Sequence, residues 1–196
     1  MRALAIDFET ASEERGSACS VGLAWVMDGV VTRVEERLIR PRSMRFSAMS
    51  IAIHGIRPEH VEDAPEFPEV MDEFAEDIAT LPMIAHNAAF DFSVWRGALD
   101  QYRMAYPDVT YFCTLKMVQK VWPHLPSHRL NVVADHLRLA FRHHTAGEDA
   151  AVAAQAAIGV AGTLGAIDLH DIADRIRMTP GRLHARGYEP CSCRKR

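Results

Sequence analysis

Apolar and polar residues alternate in "LAIDFET" (4–10), where Leu4, Ile6 and Phe8 fall on one side of an extended chain and Ala5, Asp7 and Glu9 on the other. This period of two predicts a strand. The next apolar run, "ACSVGLAWVMDGVVTRVEERLI" (18–39), predicts two strands about Asp28-Gly29, one of the stronger short hairpin signals. From Pro68 the period changes: Val70, Phe74 and Ile78 recur at i, i+4 and i+8 opposite acids, which predicts an amphipathic helix over 68–79. "MIAH" (83–86) suits a short buried strand, residues 90–102 return to helical spacing, and "VTYFCT" (109–114) predicts a fifth strand. Helical segments follow at about 114–121 and 129–138. "TAGE" then opens a long alanine-rich helix with a capping box of Thr145 and Glu148. The expected fold is α/β: a five-stranded mixed sheet, its first three strands antiparallel, flanked by helices. It occupies residues 1–162, and residues 163–196 form a short helical, basic appendage with a helix near 169–178.

Composition fits this picture without narrowing it. The 196 residues are 48% apolar and 24% charged, as expected of one globular domain. The start, "MRALAIDFET", reaches acids too soon for a signal peptide or a membrane span, so a cytoplasmic protein without membrane contact is expected. The four cysteines lack the spacing of a disulfide framework and read as reduced thiols. A zinc site from His184, Cys191 and Cys193 is the competing reading of the C-terminus, but "CSC" departs from the usual C-x₂-C spacing, and a flexible tail is preferred.

Charge is unevenly spread. The net charge is −4, yet residues 175–196 hold seven Lys/Arg against one acid, about +6. A second run, "RLIRPRSMR", carries Arg37, Arg40, Arg42 and Arg45. Both runs read as solvated faces unless a nucleic-acid site lies nearby, in which case they, together with Lys116, Lys120, His128 and Arg129, become candidates for phosphate contact.

The chemistry lies in the acids. Asp7 and Glu9 share one face of a strand with no neighbouring cation in sequence, which fits either a solvated edge or a pair of ligands for a hard divalent cation. Asp91 falls in the first turn of a helix, where an acid is also a favourable dipole partner. Asp149 lies just past the capping box, with His144 five positions earlier.

Taken in order, Asp7 and Glu9, Asp91 in H-N-x-x-F-D, and His144 with four residues before Asp149 resemble the DEDDh exonuclease superfamily, which includes proofreading exonucleases of bacterial DNA polymerase III. The resemblance covers about residues 3–160 and extends to "IHGI" (53–56) and "CTLKM" (113–117). It implies an RNase H-like fold and 3′-to-5′ hydrolysis that releases nucleoside 5′-monophosphates. It also implies two Mg²⁺ or Mn²⁺ ions on Asp7, Glu9, Asp91 and Asp149, with His144 as general base. Thr10, Met49, His54 and Phe90 are placed by the same analogy near the terminal nucleotide. The expected partner is single-stranded DNA or a frayed 3′ end, with a DNA polymerase or repair protein as a candidate associate. The rival readings are an RNA 3′-end exonuclease and a non-catalytic nucleic-acid-binding module. His144 is chosen over His143 because its gap to Asp149 matches the family.

Overall fold

The computed structural model describes residues 1–194. Strands β1 (Ala3–Thr10), β2 (Ala18–Met27) and β3 (Val30–Leu38) form an antiparallel meander, with Asp28 and Gly29 at φ 53° and 78° in the β2–β3 turn. Two positive φ values in a two-residue loop match the twist of the strands they join. Helices α1 (Ala48–His54), α2 (Pro58–Val61), α3 (Phe67–Asp72) and α4 (Ala75–Thr80) lead to β4 (Met83–Ala85). Then come α5 (Ala89–Tyr102), β5 (Val109–Cys113), α6 (Thr114–Val121), α7 (Leu130–Leu137) and α8 (Ala146–Leu164). The chain continues through α9 (Leu169–Ile176), β6 (Met178–Thr179), β7 (Gly181–His184), β8 (Gly187–Glu189) and β9 (Ser192–Cys193).

The main sheet has seven strands in the order β3-β2-β1-β4-β5-β7-β8, not the five expected. β4 and β5 run parallel to β1, whereas β7 pairs antiparallel with β5 and β8 with β7. The extra strands come from the segment expected to be a helical appendage with a flexible tail. Tyr111 is the reason they dock. Its hydroxyl donates to the Tyr188 hydroxyl (2.8 Å) and accepts from the Cys191 amide (3.0 Å). Opposite it in the β5–β7 register stands Gly181, where a Cβ would lie 2.1 Å from the ring. β6 and β9 pair separately.

The two faces of the meander differ in side-chain size. On β2, Ala18, Ser20, Gly22 and Ala24 alternate with Val21, Leu23 and Trp25. The bulky face packs against α3 and α5, with Trp25 against Phe74 (5.9 Å) and Phe8 against Phe67 (6.3 Å). The small face receives α8, whose buried Ala150, Ala154 and Ala157 let the helix approach the strands closely. The expected 68–79 helix is broken in two. Phe74 leaves helical geometry (φ −112°, ψ 6°) and buries its ring against Trp25. Thr145 does stand at the N-cap of α8, but its hydroxyl makes no capping bond; Glu148 instead accepts from the Arg142 amide. Among the described residues, no single helix is long and apolar enough to cross a membrane.

Candidate active site

The register of the meander builds the site. Asp7 pairs with Gly22, and Gly22 with Glu36, so one row across three strands reads acid, glycine, acid. The missing side chain in the middle admits the first turn of α8: a Cβ on Gly22 would lie 1.9 Å from the Ala146 carbonyl oxygen and 2.3 Å from the Gly147 nitrogen. Glu36 fastens that turn. Its carboxylate accepts from the Gly147 amide (3.3 Å) and from the Ser20 hydroxyl (3.1 Å). Asp149, in the same turn of α8, is thereby carried over β1.

Asp91 arrives from the other side, at the start of α5. Its Oδ1 accepts from the Phe8 amide (3.1 Å), while its Oδ2 is buried without a hydrogen-bond partner. Oxygen atoms of Asp7, Glu9 and Asp149 lie within 4.8 Å of one another. The structure thus brings together the four acids named from the sequence and adds Glu36 behind them. The solvated-edge reading of Asp7 and Glu9 is excluded, because β1 is the third strand of the sheet and Glu9 is 9% exposed.

Crowding shows in the titration of these acids. Burial, then Asp91, Asp149, Glu9 and Glu36, push the Asp7 carboxyl well above the ordinary range. Burial and the same neighbours push Glu9 up to about 8. Asp91 is pushed up to about 7 by burial, against the opposing bond from Phe8. Asp149 is also raised by burial, with His143 and the His144 amide pulling the other way. A buried oxygen without a donor and three carboxylates whose oxygens lie within 4.8 Å of one another suit a hard divalent cation, which prefers oxygen ligands.

The two histidines of "HHTAGED" both reach the site. The His143 imidazole donates from Nδ1 to Asp149 Oδ1 (3.0 Å), and its ring stacks on that of His144 (3.9 Å). His144 binds Asp149 through its backbone amide (3.0 Å) and takes a left-handed φ of 66°. Burial and the His143 ring lower the pKa of the His144 imidazole. His143, passed over for His144 on spacing to Asp149, is therefore also part of the site's wall.

These groups open into a cleft of about 650 Å³, which Thr10, His54 and Phe90 also line. His54 is occupied within the protein: Nδ1 accepts from the Ile56 amide (3.0 Å) and Nε2 donates to the Thr10 carbonyl (3.1 Å). Met49 does not line the cleft. It is 72% exposed, because the helical phase of α1 turns Ser50 and Ile53 inward in its place. His128 and Arg129, candidates for phosphate contact, line the cleft, and so do Ser50, Asn87 and Gln119, which the sequence does not single out; Asn87, at φ 61° between β4 and α5, sits inside the quoted H-N-x-x-F-D. Three arginines of the Arg37–Arg45 run are engaged within the protein. Arg37 pairs with Glu35 and Glu73, Arg45 with Glu13, and Arg42 donates to the Gln101 carbonyl. At the C-terminus, His184 lies 3.4 Å from Glu189 and Cys191 is buried beside Tyr111.

The fold is an α/β domain of the RNase H-like type, with the acid cluster on the α8 side of its sheet. Residues 4–157 match a family model described as Exonuclease, and the chain belongs to that family. It is 31% identical over 153 residues to a PolC-type DNA polymerase III of Thermotoga petrophila, a match covering 76% of this chain and 11% of the relative. The chain thus spans about a tenth of the length of that relative. Among solved structures, exonuclease X in complex with 5′ overhanging duplex DNA superposes with a TM-score of 0.71 at 24% identity, over 88% of this chain and 98% of that one. The nuclease domain of 3′hExo, a DEDDh family member bound to rAMP, gives 0.71 at 16% identity, over 85% and 94%.

Proposed function

We propose that the chain hydrolyses phosphodiester bonds from the 3′ end of single-stranded or frayed DNA, releasing nucleoside 5′-monophosphates. The observation that carries this reading is the convergence of Asp7, Glu9 and Asp149 on one cleft, with the partnerless Asp91 Oδ2 buried beside Asp7. These four side chains would hold two Mg²⁺ or Mn²⁺ ions. When bound, such ions neutralise phosphate charge and make water a nucleophile at neutral pH.

The remaining tasks fall to this chain's own groups. His144, with its pKa lowered, is neutral near pH 7 and able to accept a proton from the attacking water. The His143–Asp149 bond fixes the neighbouring ring and, through stacking, the plane of His144. Phe90 and Thr10 line the space beside the acids, where a terminal nucleoside would lie. DNA is favoured because the PolC-type relative is a DNA polymerase and exonuclease X was captured on DNA. The same relative supports a polymerase as associate.

The test is digestion of matched DNA and RNA oligonucleotides, each with a free or blocked 3′ end, in Mg²⁺, Mn²⁺ or chelator. Metal-dependent release of 5′-mononucleotides from free DNA 3′ ends is expected. Faster release from RNA reverses the substrate assignment, release from blocked 3′ ends overturns the direction, and no release with either metal leaves a binding module.

A further inference from the structure

Helix α6 separates two regions of different character. Leu115 and Gln119 face the carboxylate cleft. A smaller cleft of about 360 Å³ shares Asn87, Leu115 and Gln119 with it and continues past Lys116 to Cys191. Cys193, two residues on, feels the charge of both Lys116 and Lys120, so both lysines stand beside β9. One helical turn beyond Lys116, Lys120 enters a third cleft of about 650 Å³, whose other charged residues are Arg175, Arg177 and Arg194.

This third cleft is built by backbone bonds. Lys120 Nζ donates to the Arg194 carbonyl (3.0 Å), and the Arg194 amide donates to the Arg177 carbonyl (3.2 Å), extending the Met178–Cys193 pairing. Four cations are thus gathered in one hollow of a chain whose net charge is −4. Arg175 is taken by Asp171 (2.6 Å), and the nearest other acid, Asp174, lies in an adjoining hollow that shares Arg177 and Arg194. Arg182, from the same basic segment, is paired with Asp108 and is not part of this group. Cations gathered by main-chain geometry, with a paired acid only at Arg175 among the described residues, make a patch of positive potential that attracts an anion from outside.

We propose that this basic cleft binds the phosphodiester backbone of the same strand whose 3′ end occupies the carboxylate cleft, several nucleotides upstream of the scissile bond. The proposal rests on the nucleic-acid reading above, and it assigns the C-terminal segment a role in holding substrate. Two features select a strand over a free phosphate: the row of Lys116 and Lys120 along α6, which leads from the smaller cleft to this one, and the spread of the cations over one helix turn and a strand pair. Contacts of this kind give affinity without sequence preference.

The experiment uses the full chain and the double variant Arg177→Gln/Arg194→Gln, which removes two charges but keeps the backbone bonds. Binding of a labelled 20-mer of single-stranded DNA is followed by anisotropy in chelator between about 50 and 200 mM salt, and turnover of the 20-mer and a dinucleotide is measured with Mg²⁺. The expected result is weaker 20-mer binding and a salt slope shallower by about 0.7 per lost contact. KM should rise for the 20-mer but not for the dinucleotide, with kcat kept. Arg177→Lys/Arg194→Lys should restore binding, since a point charge suffices. An unchanged salt slope overturns the proposal, as does an equal loss on the dinucleotide or full competition by inorganic phosphate at matched ionic strength. Because binding is read in chelator, failure of the hydrolytic reading appears separately, as absent turnover with an intact charge effect on binding.

Discussion

Replacing Gly22 by alanine adds one methyl group to the middle of the acid–glycine–acid row, 13 residues from the nearest proposed ligand in sequence, Glu9. The new Cβ would stand 1.9 Å from the Ala146 carbonyl oxygen, against about 3.4 Å for ordinary contact, so the start of α8 must retreat by about 1.5 Å. Both opposing atoms are backbone, and no side-chain rotation relieves the clash. Asp149 sits on that turn, held to the Thr145 carbonyl by its own amide (2.9 Å), and moves with it. A misplacement of about 1 Å in a catalytic constellation costs on the order of 10²-fold in rate. Overpacking itself costs about 1–3 kcal/mol, and each kcal/mol lowers Tm by about 2–4 °C in a domain of this size.

The expected Gly22→Ala protein is folded, melts a few degrees lower, and loses about 10²-fold or more in kcat on a DNA 3′ end. Its Mg²⁺ requirement shifts to higher concentration. Gly147→Ala is the matched control, since its Cβ would meet side-chain atoms and no backbone, Glu36 at 3.3 Å and Val34 at 3.5 Å. That variant should keep activity within a few-fold. A Gly22→Ala protein with wild-type kcat and metal dependence would show that α8 does not have to sit on Gly22 to place Asp149, and the construction of the site described above would be wrong.

Other consequences are measurable. In chelator, Glu9 and Asp91 hold protons in the folded state up to about 8 and about 7 that they lose near 4 when unfolded; the folded chain binds more protons, so stability should fall as pH rises from about 4.5 to 8. Thermal melts across that range should show the decline, saturating Mg²⁺ should flatten it, and Asp91→Asn should reduce it; a metal-free Tm that rises with pH refutes the charge crowding. His144→Ala should bind DNA and metal yet lose roughly 10²–10⁴-fold in rate, together with the inflection in the pH–rate profile. His143→Ala should lose less, through Asp149 and ring orientation alone, and if it is the more damaging change the two roles are exchanged. Truncation after Gly162 should give an insoluble or unfolded chain, because it removes the buried Leu169, Ile172, Met178 and Leu183 and uncovers β5; a soluble truncated protein with a native-like melt would contradict the packing.

How far the sequence went depends on how local each signal was. The period of two in β1 places Asp7 and Glu9 on one face, the Asp28-Gly29 turn fixes the hairpin, and the alanines of α8 foretell close packing, all without distant partners. Glu36 and Gly22 carry no such mark. Glu36 looks like one acid among the polar residues of an exposed strand, and only the β2–β3 register brings it beside Asp7. The C-terminal strands are two to four residues long and have no alternation to read; what makes β7 and β8 strands is the edge of β5 that they extend and the Tyr111 hydroxyl, while β6 and β9 pair with each other. Helix α1, of seven residues, is below the length at which helical spacing is informative, and with its phase unseen Met49 was placed in the cleft instead of Ser50 and Ile53.

The acid cluster and the scaffold around it pull in opposite directions. Four carboxylates converge where the sheet is largely buried, with the exposed Glu36 at their edge, and backbone donors answer only part of that charge: the Phe8 amide for Asp91, the His144 amide for Asp149 and the Gly147 amide for Glu36. Each of these donors belongs to an element whose position is set elsewhere. Phe8 is held by the bulky face of the meander, and His144 and Gly147 by the seat of α8 on Gly22. The stability that tolerates the cluster must therefore come from packing that does not involve the acids, and the stack of Phe92 on Tyr111 (3.8 Å) and Tyr111 on Tyr188 (6.0 Å) ties the C-terminal strands into that packing. The segment after α8 thus supports the site in two separable ways. Its buried side chains close the sheet at β5, and its exposed arginines face the cleft along α6, so substitutions at Arg177 and Arg194 can remove the second role while leaving the first intact.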